Sequence, residues 1–223
     1  MIYKRVPLGL SNRHIHLTRE DVDTLFGEGY ELTPKKPMVQ PGQYAAEETV
    51  SIVGPKKTID GVRVMGPLRP VTQLEISNAD ARAFGVATAP VRLSGDLEDT
   101  PGFEIVGPKG RVAKDKGMIV AQRHIHLSTE EGAAYHLTDG DVVAVRIEGG
   151  RELILTNVPV RVGDSHKCEM HIDIEEGNAA GAVNNQLATI IDKETQDSMT
   201  IAELLTVVDY CPMLGETGLL EEA

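Results

Sequence analysis

Cysteine is scarce. Cys168 and Cys211 are the only two in 223 residues, which gives no disulfide framework and fits a reducing compartment. No Cys-x-x-Cys pair occurs either, so a structural zinc closed by thiolates has no ligands to draw on. No apolar run approaches the roughly 20 residues that span a bilayer. The start Met1-Ile2-Tyr3-Lys4-Arg5 leads into the first motif too quickly to act as a signal peptide. Positive charge is in deficit, with 22 Lys and Arg against 34 Asp and Glu and a formal net charge of −12, which argues against a nucleic-acid surface. These shortages predict a soluble, cytoplasmic protein with neither nucleic-acid nor membrane partners. Basic clusters at Lys35-Lys36, Lys56-Lys57, Arg69 and Lys109 to Lys116 could hold a phosphorylated ligand, although solvated loop charge is the commoner role of any one lysine.

What the chain does have is one short word written twice: Arg13-His14-Ile15-His16-Leu17 and Arg123-His124-Ile125-His126-Leu127. Four of the seven histidines sit in these words. Histidines at i and i+2 on a strand project to one face, which is a metal-binding geometry. A single H-x-H is more often an ordinary pair of half-buried histidines, but a later segment repeats too. Leu74-Glu75-Ile76-Ser77-Asn78-Ala79-Asp80 aligns with Met170-His171-Ile172-Asp173-Ile174-Glu175-Glu176. The words are offset by 110 residues and the later segments by 96, so the halves are duplicates with about 14 extra residues in the first. Each half thus offers two histidines and one further ligand, Glu75 or His171.

Strand signals prevail, as in Val142-Val143-Ala144-Val145-Arg146-Ile147, and 22 glycines and 12 prolines punctuate them. The pattern predicts a mainly β chain with short helices, whose many short strands and turns suggest barrels or sandwiches, one to each half. Thr18 with Asp21 predicts a helix ending near Gly27, and Ser128 with Glu131 has the capping-box spacing for its counterpart. Asn78 is expected to cap a helix closing at Gly85, and Asp173 one closing near Gly181. The expected division is 1–108, 109–194 and a C-terminal extension, 195–223. Pro34 to Glu48 forms the extra loop of the first half. Met199 to Val208 reads as an amphipathic helix, followed by a Pro-Gly turn and an acidic end, that serves as a packing or interface element or a disordered tail.

Three histidines (His124, His126, His171) leave a tetrahedral position open and suit zinc or another borderline metal. Two histidines and a carboxylate (His14, His16, Glu75) make a harder site that keeps its waters. Open positions point to catalysis rather than scaffolding: such metals could polarise a carbonyl, bind a thiolate or activate an oxyanion. His136 and His166 lie outside both sets and are read as surface or structural.

Several motifs in order carry a resemblance: Gly9-Leu10-Ser11-Asn12-Arg13-His14-Ile15-His16-Leu17, Pro41-Gly42-Gln43-Tyr44-Ala45-Ala46-Glu47-Glu48-Thr49-Val50, Gly66-Pro67-Leu68-Arg69, Gln73-Leu74-Glu75-Ile76-Ser77, Pro90-Val91-Arg92-Leu93-Ser94-Gly95-Asp96 and Arg123-His124-Ile125-His126-Leu127. Over about residues 5 to 192 the chain resembles the PduL-type phosphate propanoyltransferases. The resemblance implies two β-barrel domains with a metal site at their junction, and reversible transfer of a short acyl group between coenzyme A and inorganic phosphate. It further implies that His124, His126 and His171 hold the zinc that meets the coenzyme A sulfur, and that His14, His16 and Glu75 hold a second metal. Arg69 would neutralise phosphate or the developing oxyanion, Ser11 and Ser94 would position phosphate, and no acyl-enzyme would form. Members packaged in bacterial microcompartments usually carry an amphipathic N-terminal extension. Here only ten residues precede Ser11, so packaging by that route is not expected, and a role in making acetyl phosphate is as open as one in propanediol breakdown. A homodimer is a family-level expectation.

Other functions predict other features. A cysteine-based acyltransferase would need Cys168 as nucleophile, yet on a strand Cys168 and His171 have opposite parity. A dinuclear metal-dependent hydrolase of thioesters or phosphoesters would release free acid. A non-catalytic binding module stabilised by metal would have closed coordination and no phosphate-dependent turnover.

Overall fold

Alternation of apolar and polar residues turns most of the chain into strands. In Val142–Ile147, for example, Val143, Val145 and Ile147 are buried while Val142 and Arg146 face out. The computed structural model describes residues 4–86 and 89–191. The chain divides into two units, Met1–Ile190 and Ile191–Ala223. Cys211, the expected helix Met199 to Val208 and the extension 195–223 lie outside the described residues.

From the N-terminus the elements run β1 Arg5–Ser11, β2 His14–His16, α1 Arg19–Phe26, β3 Pro34–Pro37, β4 Tyr44–Val53, β5 Thr58–Gly66, β6 Gln73–Glu75, α2 Asn78–Phe84, β7 Val91–Arg92, β8 Phe103–Val106, β9 Arg111–Lys114 and β10 Met118–Ala121. Then come β11 His124–Leu127, α3 Thr129–Tyr135, β12 Val142–Ile147, β13 Leu153–Val162, β14 Glu169–Asp173, α4 Ile174–Ala180 and β15 Leu187–Ile191. The fold is mainly β, with two similar barrel-like sheets. Strands β1-β14-β11-β13-β12-β15 close into a six-stranded barrel. Strands β7-β10-β6-β2-β5-β4-β8-β9, with β3 on β4, form a nine-stranded sheet that curls into a half-barrel. Along β10, Met118 N–H donates to Pro101 O (3.1 Å) and Val120 N–H to Pro90 O (3.0 Å), the latter extending its pairing with β7.

The two sheets interlock. β1 pairs in parallel with β14, Gly9 opposite His171, and antiparallel with β15. β10 pairs in parallel with β6, Ile119 opposite Glu75, and with β7. Each sheet is therefore built from both sides of residue 108. Each also encloses its own apolar cluster, one around Ile15, Leu17, Val64, Leu74, Phe84 and Met118, the other around Leu8, Ile125, Leu127, Val145, Val160 and Met170.

Helix ends follow short polar signals. Thr18 accepts from Asp21 N–H to start α1, which stops at Gly27, and full capping boxes start α3 (Ser128, Glu131) and α4 (Asp173, Glu176). The cap of α2 is Ser77, one residue before the expected Asn78: Ser77 is extended and accepts from Asp80 N–H, whereas Asn78 is already helical. Left-handed Gly85 and Gly181 end α2 and α4. Among the described residues no helix is long and apolar enough to cross a membrane.

Phe84 at the end of α2 is wholly buried and lies over Gly54, where a Cβ would meet the ring at 2.6 Å. Truncation by Phe84→Ala is expected to lower stability by about 3–5 kcal/mol, read as a lower denaturant midpoint in chemical unfolding. An unmoved midpoint would show that the ring is not part of the stabilising core.

Candidate metal centre

Ile15 and Ile125 each point into an apolar cluster, so the histidines on either side of them must take the opposite face. Register then supplies the third member of each set. In the antiparallel pair β2 and β6, His14 stands opposite Glu75 and His16 opposite Gln73. In β11 and β14, His124 stands opposite His171 and His126 opposite Glu169. The six residues singled out in the sequence thus converge as two trios, His14, His16, Glu75 and His124, His126, His171, and in each the potential ligand atoms lie within 4.8 Å of one another. His124 Nε2 is 2.9 Å from His126 Nε2, and His14 Nε2 is 3.4 Å from Glu75 Oε2.

The backbone orients the rings. His14 Nδ1 lies 2.9 Å from Asn12 O and His124 Nδ1 lies 2.8 Å from Gln122 O, two residues back in each case. Donation by Nδ1–H leaves the Nε2 lone pair turned into the trio. Nδ1 of His16 and Nδ1 of His126 are buried without any hydrogen-bond partner, a state that is expensive for a polar nitrogen unless something else engages the ring.

Electrostatics separates the two trios. Burial pushes His126 down to about 2, with His124 and His171 adding to it, and burial with His171 pushes His124 down to about 4. His16 falls well below its usual range through burial and its neighbour His14. These rings are neutral at pH 7, the form a metal requires. In the first trio, burial pushes His14 down but Glu75 outweighs it, so the net shift is upward. The Glu75 carboxyl, which burial alone would raise, is held far below the usual carboxylate range by His14 and His16. One trio is therefore three imidazoles, the other a carboxylate paired with one imidazole beside a neutral ring. Both donor sets fit a divalent cation, the first trio as the harder site.

The arginine of each word is a clamp. Arg13 pairs with Asp80 through Nε (2.6 Å) and Nη2 (2.9 Å), and Arg123 pairs with Glu176, each acid being the third residue of the helix after the third ligand. Glu175 at the start of α4 accepts from Asn78 N–H (3.2 Å) and Ala79 N–H (2.8 Å), capping α2 from across the duplication.

The other sequence-identified residues cluster round the first trio. Arg69 donates from Nη1 to Ser94 Oγ (2.8 Å), and Gln73 Nε2 donates to the same Oγ (2.8 Å) and to Glu75 Oε1 (2.6 Å). Burial draws the Arg69 guanidinium below its ordinary value, Glu75 opposing and Arg161 reinforcing, yet an arginine stays cationic at neutral pH. Ser11 ends β1 with Oγ 3.5 Å from His14 Nδ1, the limit of a hydrogen bond. His166 packs edgewise on His126, ring centroids 4.5 Å apart, without joining the trio, and His136 is the left-handed cap of α3. Sequence reasoning missed Gln73, Glu169, Gln40 and Arg161. The first two share parity with Glu75 and His171, a signal that could have found them. Arg161 stands on β13 opposite His126, a pairing between distant strands that leaves no local mark. Among the described residues its guanidinium has no hydrogen-bond or ion-pair partner.

A family model described as phosphate propanoyltransferase matches residues 7–183. Proteins named phosphate propanoyltransferase from Thermotoga maritima, Rhodopseudomonas palustris and Salmonella typhimurium are similar to this chain. The first is 53% identical over 83% of this chain and 88% of its own length. The second is 52% identical over 85% and 83%, and the third 51% identical over 82% and 87%.

In metal-free protein the His14–Glu75 pair should shape stability against pH. Glu75, depressed when folded, contributes above its ordinary value near 4.5 and loses its contribution as pH falls through the folded value; His14, raised, contributes below 6.5 and loses its contribution as pH rises through the folded value. Glu75→Gln is expected to destabilise most between these limits and to lower the His14 midpoint, because burial, the largest cause, is then opposed only by the hydrogen bond to the Asn12 carbonyl. Histidine NMR titration in chelator checks this. A midpoint unchanged by the substitution would dissolve the pair.

Proposed function

The chain belongs to the phosphate propanoyltransferase family, an acyltransferase family, and from that premise we propose that it moves a short acyl group, propanoyl or acetyl, reversibly between coenzyme A and inorganic phosphate at a two-metal, zinc-loaded site. The observation that carries the reading is the convergence of two register-matched ligand trios. The charge of Glu75 reaches His124 and that of Arg161 reaches Arg69, which supports one shared site at the junction of the two sheets. In this reading residues 1–108 and 109–194 are duplicated halves that have exchanged their leading strands, and 195–223 is an added segment.

Zinc ions held by the two trios would supply Lewis acidity to the thioester carbonyl and a soft partner for the coenzyme A sulfur. The protein's own groups bind and orient phosphate. Ser94 Oγ already accepts from Arg69 and from Gln73, so its two lone pairs are used and its single O–H is left to donate outward. Arg69 and Arg161 add the fork-like donors that match a phosphate dianion, and Ser11 adds a hydroxyl beside His14. A phosphate oxygen so held adds to the thioester carbonyl carbon. The C–S bond breaks as the C–O bond is completed, and coenzyme A departs as the thiolate. Fixing both substrates in one place supplies the entropic part of the rate, while Arg69 meets the developing oxyanion. Cys168 is no rival nucleophile: burial and then Glu131 push its thiol up to about 11, so it stays protonated at neutral pH.

Metal-loaded protein is expected to release thiol from propanoyl-CoA or acetyl-CoA only when phosphate is present. Release without phosphate would identify a hydrolase, and no release a binding module. Arg69→Ala should lower kcat/KM by about 10²–10³, the usual loss for one oxyanion donor. Arg161→Ala should raise the KM for phosphate tenfold or more, as the loss of a charged hydrogen bond of about 1.5–3 kcal/mol predicts. An unchanged phosphate KM would remove Arg161 from the site.

A further inference from the structure

The segment Pro34 to Glu48, expected as a loop, is instead the β3–β4 hairpin, and its turn delivers one buried side chain to the second barrel. Gln40, between β3 and β4, is only 3% exposed. Its Nε2 donates to Lys167 O (2.9 Å) and Glu169 Oε2 (3.0 Å), and its Oε1 accepts from Lys167 N–H (3.2 Å). Glu169 is itself buried, and the same Oε2 lies 2.7 Å from His171 Nε2. Room for this pair comes from Gly9 on β1, where a Cβ would stand 2.7 Å from Glu169 Oε1 and 3.1 Å from His171 Cδ2. Gly9 and Glu169 thus meet on the His171 ring, and Gln40 holds Glu169 from behind.

The first half holds a counterpart at the same register. Gln73 faces His16 as Glu169 faces His126, and Gln73 Nε2 donates to Glu75 Oε1. In both halves the residue two positions before the third ligand grips that ligand, but the chemistry is inverted: an amide donates to a carboxylate in one, and a carboxylate accepts from an imidazole in the other. Glu169 stands outside the trio of potential ligands.

We propose that Glu169, fixed by Gln40, is a positioning residue that sets the ring orientation and donor strength of His171 toward a divalent cation, with Gln73 playing the matching part for Glu75. The proposal rests on the metal reading of the second trio. Accepting the Nε2–H of His171 fixes the tautomer, leaves Nδ1 with the free lone pair, and makes that nitrogen more basic. Gln40 keeps the carboxylate from rotating away. The β3–β4 turn is thereby tied to a ligand more than a hundred residues on.

The test is metal binding, separated from turnover. In a His14→Ala background, which silences the first trio, cobalt(II) is titrated against a competing chelator while its visible absorption is recorded. Glu169→Gln is expected to bind one cobalt about 10–100-fold more weakly with a shifted ligand-field band, and Gln40→Leu to show a smaller loss in the same direction. Thermal melts of the metal-free variants check that both fold, and Gln40→Leu keeps the question open to an answer if Glu169→Gln does not. Affinity and spectrum equal to the parent in both variants would overturn the positioning role. Complete loss in Glu169→Gln, equal to that of His171→Ala, would make Glu169 a ligand and overturn it as well. If His171→Ala itself binds like the parent, the metal reading of the trio fails, and the proposal with it.

Discussion

Strand register is the constraint on which the rest depends. Antiparallel pairing of β2 with β6 and of β11 with β14 sets the first histidine of each word opposite the third ligand. The intervening Ile15 and Ile125 are fully buried in separate clusters. Burying one such side chain is worth about 1.5–3 kcal/mol, and a slip of one residue would turn the isoleucines out and the histidines in. Hydrophobic burial on one face therefore fixes the ligand geometry on the other. The arginine clamps to Asp80 and Glu176 then lock the following helices to the same strands.

Each third-ligand strand is flanked by one strand from its own half and one from the other, β6 by β2 and β10, β14 by β11 and β1. Each trio comes from a single half, yet the sheet that carries it is completed by a strand of the other. The duplication has kept geometry while dividing chemistry. Glu75 makes an ion pair with His14 where the second half has three imidazoles, and Gln73 and Glu169 follow suit as amide and carboxylate.

The ligand trios, the capped helices and the barrel-like class were legible because each rests on local spacing: i, i+2 parity, a cap three residues before an acid, a repeated word. What depends on distant pairing was not. Nothing near Arg5–Ser11 or Met118–Ala121 announces that these strands join the sheet of the other half. Arg161 reads as an ordinary strand arginine until β13 lies beside β11. Gln40 was seen only as part of an extra proline- and glycine-rich loop, since its partner is Lys167. Ser77 was passed over for Asn78 because either residue caps well. The choice was made by the chain entering extended at Ser77, as its counterpart Asp173 does.

The central claim, that each of the two trios holds a divalent metal, is tested most directly by counting metal. Zinc bound per chain is measured after equilibrium dialysis in the unaltered protein, in His14→Ala, in His124→Ala and in the double variant. The account predicts two, one, one and none. Unaltered protein that retains no zinc, or single variants that still hold two, would contradict it.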